Sequence, residues 1–154
     1  MNRVTILFLL MVPSFAILLG CSEEQHPALP NERIQDFALL DHLGDSHSLR
    51  YYSDASAIVL FIQGNGCPIS RHSLPTLNAL KKEFEPLGVT FLMLNANLQD
   101  DRASIAEEAK AFEIDFPILV DETQLIAESL DLYRTAEAIV INPKTWKVLY
   151  RGPV

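Results

Sequence analysis

The apolar run Ala57-Ile58-Val59-Leu60-Phe61-Ile62 leads straight into Gln63-Gly64-Asn65-Gly66-Cys67-Pro68. A strand with no polar alternation is one buried on both faces, and such strands belong to sheets covered by helices. Gly64, Asn65 and Gly66 tolerate the positive φ of a sharp turn. Pro68 suits the first position of a helix, where its missing N–H would have had no partner. This strand–turn–helix junction predicts an α/β architecture with Cys67 at a helix N-terminus.

The flanking patterns agree. Phe37, Leu39 and Leu49 around Gly44-Asp45 predict an N-terminal β-hairpin. Leu74, Leu77, Leu80 or Lys81, and Phe84 recur at helical steps, predicting a helix from Pro68 to about Phe84. Val89 to Leu94 is the next buried strand. Asp100 or Asp101 can cap a helix running to about Phe112. Phe116–Val120 then predicts a short strand, Thr123–Leu130 a short helix, Ala138–Ile141 a strand, and Lys147–Tyr150 a last strand after the Asn142-Pro143-Lys144 turn. The expected fold is a central mixed β-sheet flanked by helices.

With 20 acidic and 12 basic residues and a formal charge of -8, the 154-residue chain repels phosphate backbones, and no basic run offsets this. Nucleic acid is not an expected partner.

Asn2 and Arg3 precede a nearly unbroken apolar stretch, Val4 to Leu19, which contains Pro13 and ends at Gly20. A cleaved export signal over residues 1–20 fits this pattern; an uncleaved anchor helix is the alternative. Leu18-Leu19-Gly20-Cys21 resembles the lipobox of bacterial lipoproteins. That resemblance implies that Cys21 is acylated and becomes the first residue of the mature protein. Ser22 in place of Asp points to the outer membrane in a Gram-negative source. Residues 21–33, with Pro27 and Pro30, read as a tether reaching about 40 Å when extended. The expected location is the cell envelope, with the domain over 34–154 facing the periplasm or the exterior.

With Cys21 assigned to lipid, Cys67 is the one remaining thiol, so no internal disulfide is expected. A sulfur at a helix N-terminus meets free N–H groups and the positive end of the helix dipole, which favours the nucleophilic thiolate. Arg71, one turn on, is either a second source of positive charge or a solvated helix residue. A buried, inert cysteine is the plainer alternative for Cys67.

The run Cys67-Pro68-Ile69-Ser70-Arg71-His72-Ser73-Leu74-Pro75 resembles the active-site helix of the thioredoxin superfamily. In that family a nucleophilic cysteine opens the helix, a second cysteine follows three residues later, a basic residue often comes next, and a kinking proline lies eight residues after the nucleophile. Those places fall on Cys67, Ser70, Arg71 and Pro75. Asp36-Phe37-Ala38-Leu39 and Tyr150-Arg151-Gly152 look like the redoxin branch, which holds the peroxiredoxins and the membrane-tethered thiol–disulfide proteins. The resemblance covers about Ile34 to Val154 and implies a thioredoxin-like fold.

The departures carry consequences. Ser70 removes a two-cysteine cycle within the chain. Gly66 stands where thioredoxins commonly have tryptophan. Leu60 and Gly64 occupy the places of the peroxiredoxin Pro and Thr or Ser. Thr135-Ala136 takes the place of the cis-proline beside the active site, which alters the substrate groove. The chain also stops at Val154 just after a strand, where the family usually adds a helix, implying a short domain or a chain cut short.

The site residues expected are therefore Cys67 and Arg71, shaped by Gly66, Pro68, Ser70, Pro75, Thr135 and Ala136. No cofactor and no metal site is expected. Gln63 and Asn65 are read as serving the turn rather than donating to a substrate, and His72 as solvated. His26, His42 and His47 have no motif around them. Arg134 could bring charge to the groove, and Tyr51, Tyr52 and Trp146 are expected to pack. The leading function is a thiol-dependent oxidoreductase that attacks a peroxide or a disulfide and is regenerated by an external thiol. The alternatives are a metallochaperone of the Sco kind, disfavoured by its missing second cysteine and histidine, and a degenerate redoxin fold that binds a partner without chemistry.

Overall fold

The computed structural model describes residues 33–154. The export signal, Cys21 and nearly all of the expected tether lie outside the described residues. Arg33, the last tether residue, is already docked: it bridges to Lys147, and its Nε donates to the Thr145 carbonyl at 3.1 Å.

The elements in order are β1 (Ala38–Leu40), β2 (Ser46–Ser48), β3 (Ala57–Gln63), α1 (Pro68–Phe84), β4 (Val89–Asn95), α2 (Arg102–Ala111), β5 (Ile118–Val120), α3 (Leu125–Ser129), β6 (Glu137–Asn142) and β7 (Lys147–Pro153). β1 and β2 pair as an antiparallel hairpin. The other five strands form one sheet in the order β5-β4-β3-β6-β7, with β3, β4 and β5 parallel and β6 and β7 antiparallel to their neighbours. This is the expected mixed sheet, and its arrangement is thioredoxin-like.

β3 is central, and its two faces feed two separate cores. Ile58, Leu60 and Ile62 enter one core with Leu92, Leu94, Ile139 and Ile141; Phe61 enters the other with Leu74, Leu77, Met93 and Ile105. The period of two sends successive apolar side chains to opposite faces, so an unbroken apolar run is what this position demands. α1 docks through Leu74 and Leu77, which are 8% and 1% exposed. The parallel register places Ile62 opposite Leu94 and Gln63 opposite Asn95, so both strands end at one level, where the polar residues begin.

Several expectations need correction. Leu49 lies just past β2: its N–H donates to the Phe37 carbonyl at 3.2 Å, continuing the hairpin pairing, and it opens a 3₁₀ turn, Leu49–Tyr52, with its own side chain buried in the core. β5 starts at Ile118 rather than Phe116, since Pro117 has no N–H to give the ladder. α3 is shorter than expected because Gln124, at φ 58°, sits in the left-handed region just before it. β7 runs on to Pro153, pairing it with Glu137. Tyr51 does not pack; it is 69% exposed, whereas Tyr52 and Trp146 lie against the core.

Candidate active site

Cys67 is the N-cap of α1, with extended backbone (φ −71°, ψ 114°), and its Sγ accepts the Ser70 N–H at 3.5 Å. The sulfur thus takes the place that a serine or aspartate oxygen usually holds at a helix start. Pro68 follows at the first helical position. Pro75 lies inside α1 on its exposed side, where its missing N–H leaves the Arg71 carbonyl without its helical donor.

The second neighbour of the sulfur comes from the far end of the chain. Thr135 Oγ1 stands 3.1 Å from Cys67 Sγ. Burial pushes the thiol up, but hydrogen bonds from Thr135, from Ser70 and from the Ile69 backbone outweigh it and hold the thiol at about 7, against 9.0 ordinarily. Ser70 donates its N–H to the sulfur, and its buried hydroxyl makes no hydrogen bond. Stabilisation therefore comes mainly from individual donors around the sulfur, where the sequence pointed to the helix dipole and Arg71.

Arg71 is part-exposed and paired with a carboxylate, and its charge also interacts with Cys67. Its Nε and Nη2 donate to Glu108 Oε1 and Oε2 at 2.8 and 2.7 Å, and its guanidinium lies 4.0 Å above the Phe112 ring. The bidentate fork holds the Glu108 carboxyl below the usual carboxylate range. Glu108 Oε1 also accepts the Gly66 N–H at 3.2 Å, so α2 grips the turn immediately before the cysteine. Gly66 itself, at φ 70°, supplies the left-handed residue that the turn requires.

A polar cluster anchors the same turn. Asp100 Oδ2 accepts from the Asn65 N–H at 3.0 Å, from Asn95 Nδ2 at 3.0 Å and from Asn97 Nδ2 at 2.9 Å. Gln63 Oε1 accepts from Asn95 Nδ2 at 2.9 Å, and Gln63 Nε2 donates to Asn65 Oδ1 at 3.1 Å. Gln63 and Asn65 are thus committed to the turn. Gly64 is glycine for reasons of space: a Cβ there would come within 2.6 Å of Asn97 Nδ2 and 2.9 Å of Thr135 Cγ2.

Thr135 lies beside Cys67 and is joined to Ala136 by an ordinary trans peptide; the described residues contain no cis bond. Ala136 takes the left-handed conformation (φ 60°), and its N–H donates to the Ile62 carbonyl at 2.7 Å, fastening the loop to the end of β3. Sequence reasoning missed Glu108, Asn95 and Asp100. Their signal was available only in part: Asn95 is a polar residue closing an apolar strand, but nothing local marks Glu108 as the partner of Arg71. His72 is exposed on α1, and His47 belongs to the hairpin, where it contacts Asp41 and Tyr52. Among the described residues no group of three or more His, Cys, Asp or Glu side chains is arranged to hold a metal ion.

Comparison with known proteins bears on the family and the fold. The AhpC/TSA family pattern matches residues 30–153. The thiol-disulfide oxidoreductase ResA of Geobacillus kaustophilus is 24% identical over 132 residues, spanning 86% of this chain and 74% of that protein. Among solved structures, a putative thiol:disulfide interchange protein DsbE from Chlorobium tepidum superposes with a TM-score of 0.70 at 17% identity, over 80% of this chain and 84% of that one. The peroxidoxin BcpB from Mycobacterium tuberculosis superposes with a TM-score of 0.66 at 21% identity, over 79% and 82%. At these identities the superpositions speak to the fold.

Proposed function

The chain belongs to the AhpC/TSA family, and we propose that it is a thiol-dependent oxidoreductase in which Cys67 alone makes and breaks the bond to the oxidised substrate. The observation that carries this reading is the sulfur held between the Ser70 N–H and the Thr135 hydroxyl with its thiol brought down to about 7, so that about half is thiolate at neutral pH.

The thiolate attacks the weak bond of the substrate in line. With a peroxide, one oxygen bonds to sulfur as the O–O bond breaks; Cys67 becomes a sulfenic acid, and the second oxygen leaves as hydroxide or alkoxide and takes up a proton. With a disulfide, Sγ bonds to one sulfur and the other leaves as thiolate, giving a mixed disulfide on Cys67. Ser70 stands where a second cysteine would resolve either adduct. An external thiol therefore does so, first by displacing water from the sulfenic acid, and then, with a second thiol, by releasing Cys67 and an external disulfide. We place the domain in the cell envelope, held through a lipid on Cys21.

The test compares the purified chain with Cys67→Ser against hydrogen peroxide and against a small aromatic disulfide, read by intact mass. The wild type gains one oxygen or one mixed-disulfide mass and returns to its starting mass with added thiol. Equal, negligible reaction of both proteins with both oxidants overturns the proposal. Labelling by a radioactive fatty acid in wild type and its loss in Cys21→Ser test the anchor.

A further inference from the structure

The segment that brings Thr135 to the sulfur is tied down by a charge cluster around the buried Glu137. Glu137 is 3% exposed at the first position of β6. Its Oε1 accepts from Arg134 Nη2 at 3.0 Å and its Oε2 from Arg151 Nε at 3.0 Å. Arg151 also donates through Nη2 to the Asp131 carbonyl at 2.7 Å. One guanidinium from β7 therefore holds both ends of the loop 131–137: the Asp131 carbonyl at its start and the Glu137 carboxylate at its end. Between them, Asp131 and Ala136 take left-handed backbone conformations (φ 50° and 60°). Such residues cost free energy and persist where their surroundings impose them. The surroundings here are Arg151, the Ala136–Ile62 hydrogen bond, and the close fit of Thr135 Cγ2 against Gly64.

We propose that Arg151, acting through Glu137 and the Asp131 carbonyl, is a positioning residue for the reaction at Cys67: it locks the 131–137 loop so that the Thr135 hydroxyl is aimed at the sulfur. The proposal rests on the reading of Cys67 as the reacting group. It assigns Arg151 no contact with substrate. Arg71, paired with Glu108, interacts with the sulfur through its charge, whereas Arg151 is paired with Glu137 and works at one remove. A guanidinium suits the task because its fixed fork spans two acceptors in one plane, which a lysine ammonium does not.

The test is the pH dependence of Cys67 alkylation by iodoacetamide in the full chain, for wild type, Arg151→Lys, Thr135→Val and the double variant. Lysine keeps the charge and loses the fork, so a direct field effect is preserved while the clamp is not. The expected result is a midpoint that rises by about one pH unit in each single variant, with the double variant no higher than Thr135→Val. An unmoved midpoint in Arg151→Lys, or additive shifts in the double variant, overturns the proposal. If Arg151→Lys lacks a native near-ultraviolet dichroism spectrum, Glu137→Gln takes its place in the same cycle, with the same expected and overturning results. Alkylation needs no peroxide or disulfide turnover, so an inactive chain refutes the oxidoreductase reading while this measurement still decides the positioning role.

Discussion

Thr135 Oγ1 lies 3.1 Å from Cys67 Sγ, a contact made between residues 68 positions apart. The hydroxyl stands at the turn into β6 and the sulfur at the turn out of β3, two strands that are neighbours in the sheet. Pairing of those strands therefore assembles the site.

Removing that hydroxyl leaves the sulfur with its helix-side donors. Thr135→Val is expected to raise the Cys67 pKa from about 7 by about one pH unit. At pH 7 the thiolate fraction then falls from about half to about a tenth, and alkylation or peroxide consumption slows about fivefold. Above about pH 9 the two proteins converge. Thr135→Ser, which keeps the hydroxyl, follows the wild type, and stopped-flow rates across pH check both.

The same shift appears in stability. The folded thiol sits at about 7 and the ordinary one at 9.0, so the folded state binds the proton less tightly. Its contribution is complete above pH 9 and is lost as pH falls through 7. The stability of wild type relative to Cys67→Ala is expected to rise by about 1–2 kcal/mol from pH 7 to pH 9, the linkage value reduced for partial solvent exposure. Urea unfolding at both pH values measures it; a constant difference contradicts the depressed thiol.

Arg71 and Glu108 act as a pair. Arg71→Met leaves the Glu108 carboxylate unpaired next to the turn before Cys67, with Gly66 N–H as its remaining partner. A rise in the Cys67 midpoint and a loss of about 1–3 kcal/mol are expected. Arg71→Met with Glu108→Gln recovers part of both, since the unpaired charge is gone. Because the Glu108 carboxyl is held low by Arg71, the pair's contribution is complete above the ordinary carboxylate pKa, declines as pH falls below it, and is gone once the folded carboxyl is protonated. Chemical denaturation of the wild type and both variants from pH 3 to pH 7 checks it.

Ser70 is buried at the first turn of α1, with its N–H on Cys67 Sγ. Ser70→Cys is expected to close a disulfide with Cys67 under mild oxidant, seen as a loss of two hydrogens in intact mass and protection from alkylation. An unreacted pair of thiols would mean that the geometry of this turn excludes the bond.

Gly64→Ala places a methyl group against Asn97 and Thr135. A loss of about 1–3 kcal/mol is expected, together with a higher Cys67 midpoint as Thr135 is pushed aside. Thermal melts and the alkylation profile measure the two effects independently.

Much of this was legible from local patterns. The apolar run Ala57–Ile62 announces the central strand because both of its faces are buried, and Pro68 with the leucine spacing announces α1 within its observed bounds. Thr135 was legible only through resemblance to a family, since its role depends on strand pairing rather than on its neighbours. The Arg71–Glu108 pair was hidden for the same reason: a helix-surface arginine looks the same whether water or a carboxylate from another helix faces it.

The hairpin has one more consequence, for assembly. His42 N–H donates to the Ile118 carbonyl at 2.9 Å, and Asp41 bridges to Leu119, so the hairpin caps the outer side of β5. At the opposite border, β7 beyond its bridge to Arg33 keeps its outward backbone groups unpaired by any other strand among the described residues. The hairpin thus shields β5, while β7 remains an edge of the five-stranded sheet at which another strand can add.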